Sequence, residues 1–337
     1  MQVEQITSEV LAEGHIIRKP PGSGKGYWAG APGVYFDKTD SLFYLSYRLR
    51  RPRGIIPDRG AETRIAISRD GITFDDIWSL KKDSIQTPSI ERCLPYRNPH
   101  DGQWQLFLSY VDPTDRRWCI SVLKARSIEQ FDPKMIRRLF SASELGLEGI
   151  KDPWIFEYDG MFYMLVSVAI PTSETSEQSH ATYDIFNTGQ CLSATGLATS
   201  SDLEDWKWEG VVFKPSDTSW DRYCRRINSV IFQEGKFWGF YDGGKSYREN
   251  YEEKTGIVSS WDMKNWQCLS CDAPVLVSPH SSNCLRYLDA HIIDNRAYLY
   301  YELARPDGAH ELRAIRTTTL AVQNFLKQVH NHSQSAC

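Results

Sequence analysis

The sequence predicts an all-β protein, a five-bladed β-propeller whose four-stranded antiparallel blades surround a central pocket. Three observations carry this prediction. First, paired runs of β-branched and aromatic residues joined by tight turns recur five times. They are Val34 to Tyr47 turning at Asp40-Ser41, Glu91 to Tyr110 at Asp101-Gly102, Lys151 to Ser167 at Asp159-Gly160, Val230 to Asp242 at Glu234-Gly235, and His291 to Glu302 at Asp294-Asn295. Second, four of the turns that follow a third strand keep one spacing: Ser68-x-Asp70 then Phe74, Ala125-x-Ser127 then Phe131, Ser200-x-Asp202 then Trp206, and Ser260-x-Asp262 then Trp266. The Asp or Ser can cap the turn through its own side chain while the aromatic packs between sheets, so this signature is structural. Third, the hairpins return at near-regular intervals, which a sandwich does not require and a propeller does.

Composition narrows the function classes. A chain of 337 residues, 41% hydrophobic and 24% charged, can bury a core large enough for two ordinary domains or one large all-β domain. The net charge of -4 gives no support for a nucleic-acid partner. The N-terminus lacks a basic and apolar leader, and no run approaches the length of a membrane span, so a soluble cytoplasmic protein without a membrane partner is expected. The eight cysteines form no framework, and Cys268-x-x-Cys271 has no second pair at zinc spacing. Buried thiols, no metal and no cofactor are expected.

Taken in order, residues 1–26 form a leading segment, 27–320 the propeller and 321–337 a tail. Lys19-Pro20-Pro21-Gly22-Ser23-Gly24-Lys25-Gly26 is not a phosphate loop, because Lys19 and Gly26 stand where the loop chemistry needs glycine and a hydroxyl. The first repeat reads Gly33 to Phe36, Leu42 to Arg48, Thr63 to Ser68 and Phe74 to Leu80. The second reads Ile90 to Tyr96, Trp104 to Tyr110, Trp118 to Ala125 and a short strand after Phe131. The third carries a polar insertion, Val168 to Gln190, expected to act as a lid because it joins the second and third strands. Repeats four and five cover about Trp220 to Ala273 and Val277 to Thr319, and Leu320 to Gln328 closes the chain as a short helix or strand.

An Asp-Pro opening an inner strand, a Gly turn, an aromatic second strand and the Ser-x-Asp-x-x-x-Trp turns together resemble the five-bladed propeller glycoside hydrolases of the arabinanase, β-xylosidase and invertase clan, family 43 among them. The resemblance spans nearly the whole chain as architecture. It implies a pocket built from the starts of the first strands and the ends of the second. That places Trp28, Glu91, Arg92, Lys151, Asp152, Arg225, Arg226, Asn228, Arg286 and Asp289 with Arg48, Asp112, Asp242 and Glu302, flanked by Tyr47, Tyr110, Tyr241 and Tyr301. It also implies glycoside hydrolysis by a first-blade carboxylate base, a fourth-blade acid and a third-blade Asp that tunes the acid. Asp152 matches the last. Ala31 stands where the base should precede Pro32, and Arg225-Arg226-Ile227-Asn228 has no acid in register.

Two readings follow. In the first, an enzyme acts on a glycoside or related polar, anionic small molecule. Glu91, Asp152 and Asp289 share the acid and base work, and Trp28, Arg48, Arg92, Arg226, Asn228, Asp242, Arg286 and Glu302 bind the substrate, with Arg92, Arg226 and Arg286 converging on its anionic group. In the second, the propeller is recruited to a non-hydrolytic tailoring step in small-molecule biosynthesis or to carbohydrate or other ligand binding without catalysis. The arginines can also be read as an ion-pair belt neutralised by neighbouring carboxylates.

Overall fold

Twenty strands make up about half of the computed structural model, which describes residues 4–335 and is 13% helical. They pair in sequence order into antiparallel units of four. The N-terminal strand β1 (His15–Arg18) is set aside by the chain and used last. Unit one is β2 (Trp28–Asp37), β3 (Leu42–Arg51), β4 (Arg59–Ser68) and β5 (Asp75–Lys81). Unit two is β6 (Leu94–Arg97), β7 (Trp104–Val111), β8 (Trp118–Ala125) and β9 (Arg137–Phe140). Unit three is β10 (Gly149–Tyr158), β11 (Met161–Pro171), β12 (Cys191–Ser200) and β13 (Lys207–Phe213). Unit four is β14 (Cys224–Gln233), β15 (Lys236–Gly244), β16 (Lys254–Ser260) and β17 (Trp266–Cys268). Unit five is β18 (Leu285–Ile293), β19 (Arg296–Ala304) and β20 (His310–Thr318), with β1 as its outer strand.

The first strands stand around one axis, and their far ends line a single cavity of about 840 Å³ that takes residues from β2, β6, β10, β14 and β18. Neighbouring units touch in succession and the fifth returns to the first. Lone parallel bridges, Trp28 to His310 and Ser193 to Cys224, merge the strands into two eight-stranded sheets and one four-stranded sheet. The fold is thus an all-β propeller.

Both chain ends depart from expectation. Residues 15–18 are not a free leading segment: they complete unit five, so the first and last parts of the chain share one sheet. The tail is a helix, Thr319–Ser335, longer than the closing element foreseen. Its Val322, Phe325 and Leu326 pack with Ile6, Leu11, Trp238 and Leu299 in a common core. Burying that stripe gives the helix the tertiary support that its sequence, containing Thr319, Val322, Val329 and Asn residues, would lack alone.

The repeated turns are capped as their sequence suggests. Ser68 Oγ donates to Asp70 Oδ1 at 2.8 Å, Ser200 to Asp202 at 2.9 Å and Ser260 to Asp262 at 3.0 Å, and each Asp accepts backbone N–H groups two and three residues on. Trp206 and Trp266 donate back into the turns. At the other end of the blades, register shifts put bulges at 31–32, 152–153, 228 and 287–288 in the first strands. Ala31, Asp152 and Tyr287 take left-handed backbone there, with φ of 52°, 58° and 53°. A bulge re-aims a side chain; those of Asp152 and Tyr287, in non-adjacent units, meet.

Units one and two approach most closely at glycine. A methyl group at Gly33 would lie 2.0 Å from the Cys93 carbonyl oxygen, and one at Gly60 1.7 Å from that of Ile90. Backbone cannot yield there as a side-chain tip could. Gly33→Ala is therefore expected to destabilise the fold by roughly 1 to 3 kcal/mol, read as a lower urea midpoint, whereas Gly102→Ala, with open space around it and a φ of 73°, should cost only its backbone strain of about 1 kcal/mol.

Candidate functional site at the axis

The eleven residues proposed from sequence are all buried, none more than 3% exposed. Burying so many charges requires pairing. Glu302 is the most heavily partnered. Its Oε1 accepts from Arg286 Nε at 2.9 Å and Nη2 at 2.6 Å and meets His310 Nδ1 at 2.7 Å, and its Oε2 accepts from Arg48 Nη2 and from the Ala31 N–H, both at 3.1 Å. Burial works against ionisation, but Arg286, Arg48 and His310 together hold this carboxyl far below the usual carboxylate range. Arg48 also contacts Glu91.

The three arginines expected to converge on an anion are instead closed on the protein's own carboxylates. Arg92 Nη2 meets Asp289 Oδ2 at 3.1 Å and its Nη1 donates to the Asn228 carbonyl at 2.7 Å. Arg226 pairs with Glu253, and Arg286 Nη1 donates to Glu253 Oε2 at 2.9 Å. Arg225 is bidentate on Asp221. The ion-pair belt is the arrangement present, because a guanidinium in a low-dielectric interior needs a countercharge and Glu253 and Glu302 supply it.

Asp289, assigned acid and base work from sequence, faces four donors: the Val34 N–H at 2.8 Å, Arg92, Trp154 Nε1 at 2.9 Å and His291 Nε2 at 2.9 Å. That fills the lone pairs a carboxylate has, so Asp289 ties β2, β10 and β18 together. The four flanking tyrosines do not face the axis. Alternation along a strand sends residue 47 to the opposite face from 48, and 241 and 301 likewise from 242 and 302; their hydroxyls meet Asp76, Asp221 and the Leu11 carbonyl, and that of Tyr110 meets Ser121. Asp112 pairs outward with Arg138.

Two carboxyl groups stand apart from the belt. Asp152 Oδ2 lies 3.3 Å from Lys151 Nζ and accepts from Tyr287 Oη at 3.3 Å, while its buried Oδ1 has no hydrogen-bond partner. Asp242 Oδ1 accepts from the Tyr287 N–H at 3.0 Å. Burial and the neighbouring Glu253 push the Asp242 carboxyl up to about 7, against the pull of Arg226 and Arg286. Tyr287, which sequence reasoning passed over, therefore touches both. Its signal was positional: it occupies the bulge of unit five as Asp152 occupies that of unit three. Glu253 was also missed; its neighbour Glu252 accepts from Ser282 and meets His310 Nε2 at 3.0 Å.

Residues 172–190 lie across this end of the axis. The Phe186 ring is 4.9 Å from Lys151 Nζ and 6.0 Å from the Arg226 guanidinium, Asp184 accepts from Trp118 Nε1 at 3.2 Å, and Arg59 donates to the Tyr183 carbonyl at 2.9 Å. Among the described residues one His, Cys and acid group, Glu252, Cys284 and His310, is close enough to share a metal ion. Both His310 nitrogens already have carboxylate partners, however. No helix among the described residues is long and apolar enough to cross a membrane.

No family model and no curated protein matches the chain. Solved structures do. A thermostable family-43 glycoside hydrolase superposes with a TM-score of 0.61 at 13% identity, over 90% of this chain and 96% of that one. The family-43 enzyme from Xanthomonas citri in complex with xylotriose gives 0.58 at 13% identity, over 91% and 92%. The fold is that of the family-43 glycoside hydrolases. The β-1,2-mannobiose phosphorylase from Listeria innocua, in complex with β-1,2-mannobiose, gives 0.61 at 13% identity, over 93% and 95%. At this identity the likeness to the family-43 fold is one of backbone. The Glu302 carboxylate lies beside Gly30 and Ala31: its Oε2 accepts from the Ala31 N–H, and a methyl group at Gly30 would lie 2.0 Å from it.

Removing the Glu302 charge should leave Arg48, Arg286 and His310 short of a partner in the interior. Glu302→Gln is expected to cost about 3 to 5 kcal/mol, measured by chemical denaturation, and a loss below about 1 kcal/mol would count against the belt as a stabilising element.

Proposed function

We propose that this protein acts on a sugar-bearing substrate at the axial end lined by the starts of the first strands, with Asp242 as proton donor and Asp152 as the base or as the carboxylate that orients the attacking group. The observation that carries this is the unlike pair of carboxyls bracketing Tyr287. Breaking a glycosidic bond needs one carboxyl that holds a proton near neutral pH and one that is free to accept or orient. Asp242 meets the first requirement through burial beside Glu253. Asp152 meets the second, with one oxygen unclaimed. Glu91 and Asp289, the other carboxylates considered for this work, are engaged by Arg48 and by four donors respectively. That sugars are bound by two proteins of the same fold, xylotriose by one and β-1,2-mannobiose by the other, supports a carbohydrate ligand. Substrate would enter by displacement of residues 172–190.

A second reading, a propeller recruited to a non-hydrolytic tailoring step or to sugar binding alone, is favoured by one feature: Ala31 lacks a carboxylate and the one nearest it, Glu302, is saturated with donors. Turnover on a panel of aryl glycosides and of oligosaccharides including xylotriose and β-1,2-mannobiose separates the readings. Asp152→Asn and Asp242→Asn should each lower the rate ~10²- to 10⁴-fold with an unchanged fold, and full activity in both would sink the assignment.

The proton on Asp242 adds a signature in pH. As general acid it must be protonated, so the rate should fall as pH rises through about 7, and that limb should vanish in Asp242→Asn. Folding raises this group from 3.8 to about 7, so its contribution to stability is complete below the lower value and gone above the upper. The melting temperature of Asp242→Asn should accordingly gain on that of the unmodified protein between pH 5 and pH 8.

A further inference from the structure

The buried arginines around the axis are matched with carboxylates, with one exception among the described residues. Arg48, Arg59, Arg92, Arg225, Arg226 and Arg286 each have a carboxylate oxygen within 3.9 Å. Arg50 is 5% exposed and has none. Its guanidinium packs against two aromatic rings, 4.4 Å from the centre of Trp28 and 4.7 Å from that of Tyr251, which are themselves 5.4 Å apart and tilted by 56°. Stacking of this kind returns only part of what it costs to take an unpaired ion out of water. Burial accordingly loosens the Arg50 proton, moving the group down to about 10.

The polar atoms around Arg50 show the same deficit. Arg50 Nε, Trp28 Nε1 and the Tyr251 hydroxyl are buried without a hydrogen-bond partner, as are Arg48 Nη1 and Arg59 Nε. Arginine and tryptophan N–H groups only donate, so what completes them must be an acceptor, and what balances Arg50 must carry negative charge. Tyr251 holds its ring over Arg50 from a left-handed backbone with φ of 78°, a costly conformation for a bulky residue. The group is also close to the proposed reaction centre. The Arg286 guanidinium stands 4.8 Å from the Trp28 ring and 5.1 Å from that of Tyr287, the residue bracketed by Asp152 and Asp242.

We propose that Arg50, with Trp28 Nε1 and the Tyr251 hydroxyl, forms a receptor for an oxyanion, a carboxylate or phosphate that is either carried on the sugar bound at the axis or held beside it as a free ion. That the anion accompanies a sugar rests on the proposed function above; the receptor itself does not. The planar guanidinium, packed against two rings that meet at an angle, keeps N–H groups for paired hydrogen bonds to two oxygens.

Calorimetry and thermal shift on the full chain test this without turnover, using orthophosphate, glucuronate, mannose 6-phosphate and mannose as probes. At least one anionic probe should bind tenfold or more tightly than mannose. Binding of orthophosphate alone would assign the site to a free ion, and binding of glucuronate or mannose 6-phosphate but not orthophosphate would assign it to a substituent on the sugar; both support the receptor. Arg50→Met, whose side chain can pack against both rings without a charge, should fold with an undiminished melting temperature and lose that preference tenfold or more. An Arg50→Met protein that discriminates like the unmodified one, or an unmodified protein that binds none of the anions, overturns the proposal. If Arg50→Met does not fold, Tyr251→Phe keeps the ring and removes the hydroxyl: a several-fold loss of anion affinity supports the receptor, and unchanged affinity overturns it. Normal turnover in Asp152→Asn and Asp242→Asn would sink the glycoside reading and leave these binding results standing.

Discussion

The constraint on which the rest depends is charge neutrality among groups buried at the centre of a ring. Glu302 shows it most plainly. Its two oxygens take donors from β3, β18 and β20 and from the backbone of β2, so one carboxylate ties the last unit to the first at the axis. The strand β1, paired with β20, closes the same junction at the rim. A ring of repeated units has one seam, where the chain's ends meet, and here that seam is held by ladder hydrogen bonds outside and ion pairs inside. Such pairs need not stabilise more than a well-packed apolar substitute would, but breaking one partner is severe.

From that constraint follows where chemistry can reside. A charge that is fully paired is unavailable to a substrate, so the belt of Arg48, Arg92, Arg226 and Arg286 with Glu91, Glu253, Asp289 and Glu302 reads as framework. The groups left over are few: the free oxygen of Asp152, the raised carboxyl of Asp242 and the unmatched guanidinium of Arg50. They share a neighbourhood because Arg286 stacks on both Trp28 and Tyr287. The protein's net charge does not bear on this, since the relevant quantity is the local balance among groups shielded from solvent.

The covering segment belongs to the same physics. Residues 172–190 bring Phe186 over Lys151 and Arg226 and Asp184 toward Arg59, so the loop both excludes water and adds one negative charge to the rim. It is held by contacts to units one, two, three and four through Arg59, Trp118, Glu148 and Tyr223. Its displacement would expose several charges to water at once, which strengthens the coupling between access and the electrostatic state of the site.

The sequence by itself determined the all-β class and most of the strands, because alternation, turn residues and the Ser-x-Asp caps act over a few residues and leave a local imprint. That Asp152, Asp242, Glu302 and the arginines should gather at strand starts and strand ends was an expectation implied by the resemblance to the propeller glycoside hydrolases, laid on the hairpins. What the sequence left open were relations between residues far apart in the chain. That β1 finishes the unit built from the other end of the chain depends on pairing across roughly three hundred residues, which no local pattern encodes. That Asp289 is filled with donors, that Glu253 neutralises two arginines and that Arg50 is left without a countercharge are decided by which side chains converge once the ring closes. A one-residue bulge decided the place of Tyr287, because it changes which side chain turns to the axis. Pairing in a buried site is a property of the whole assembly of units, and only the tertiary structure brings those units together.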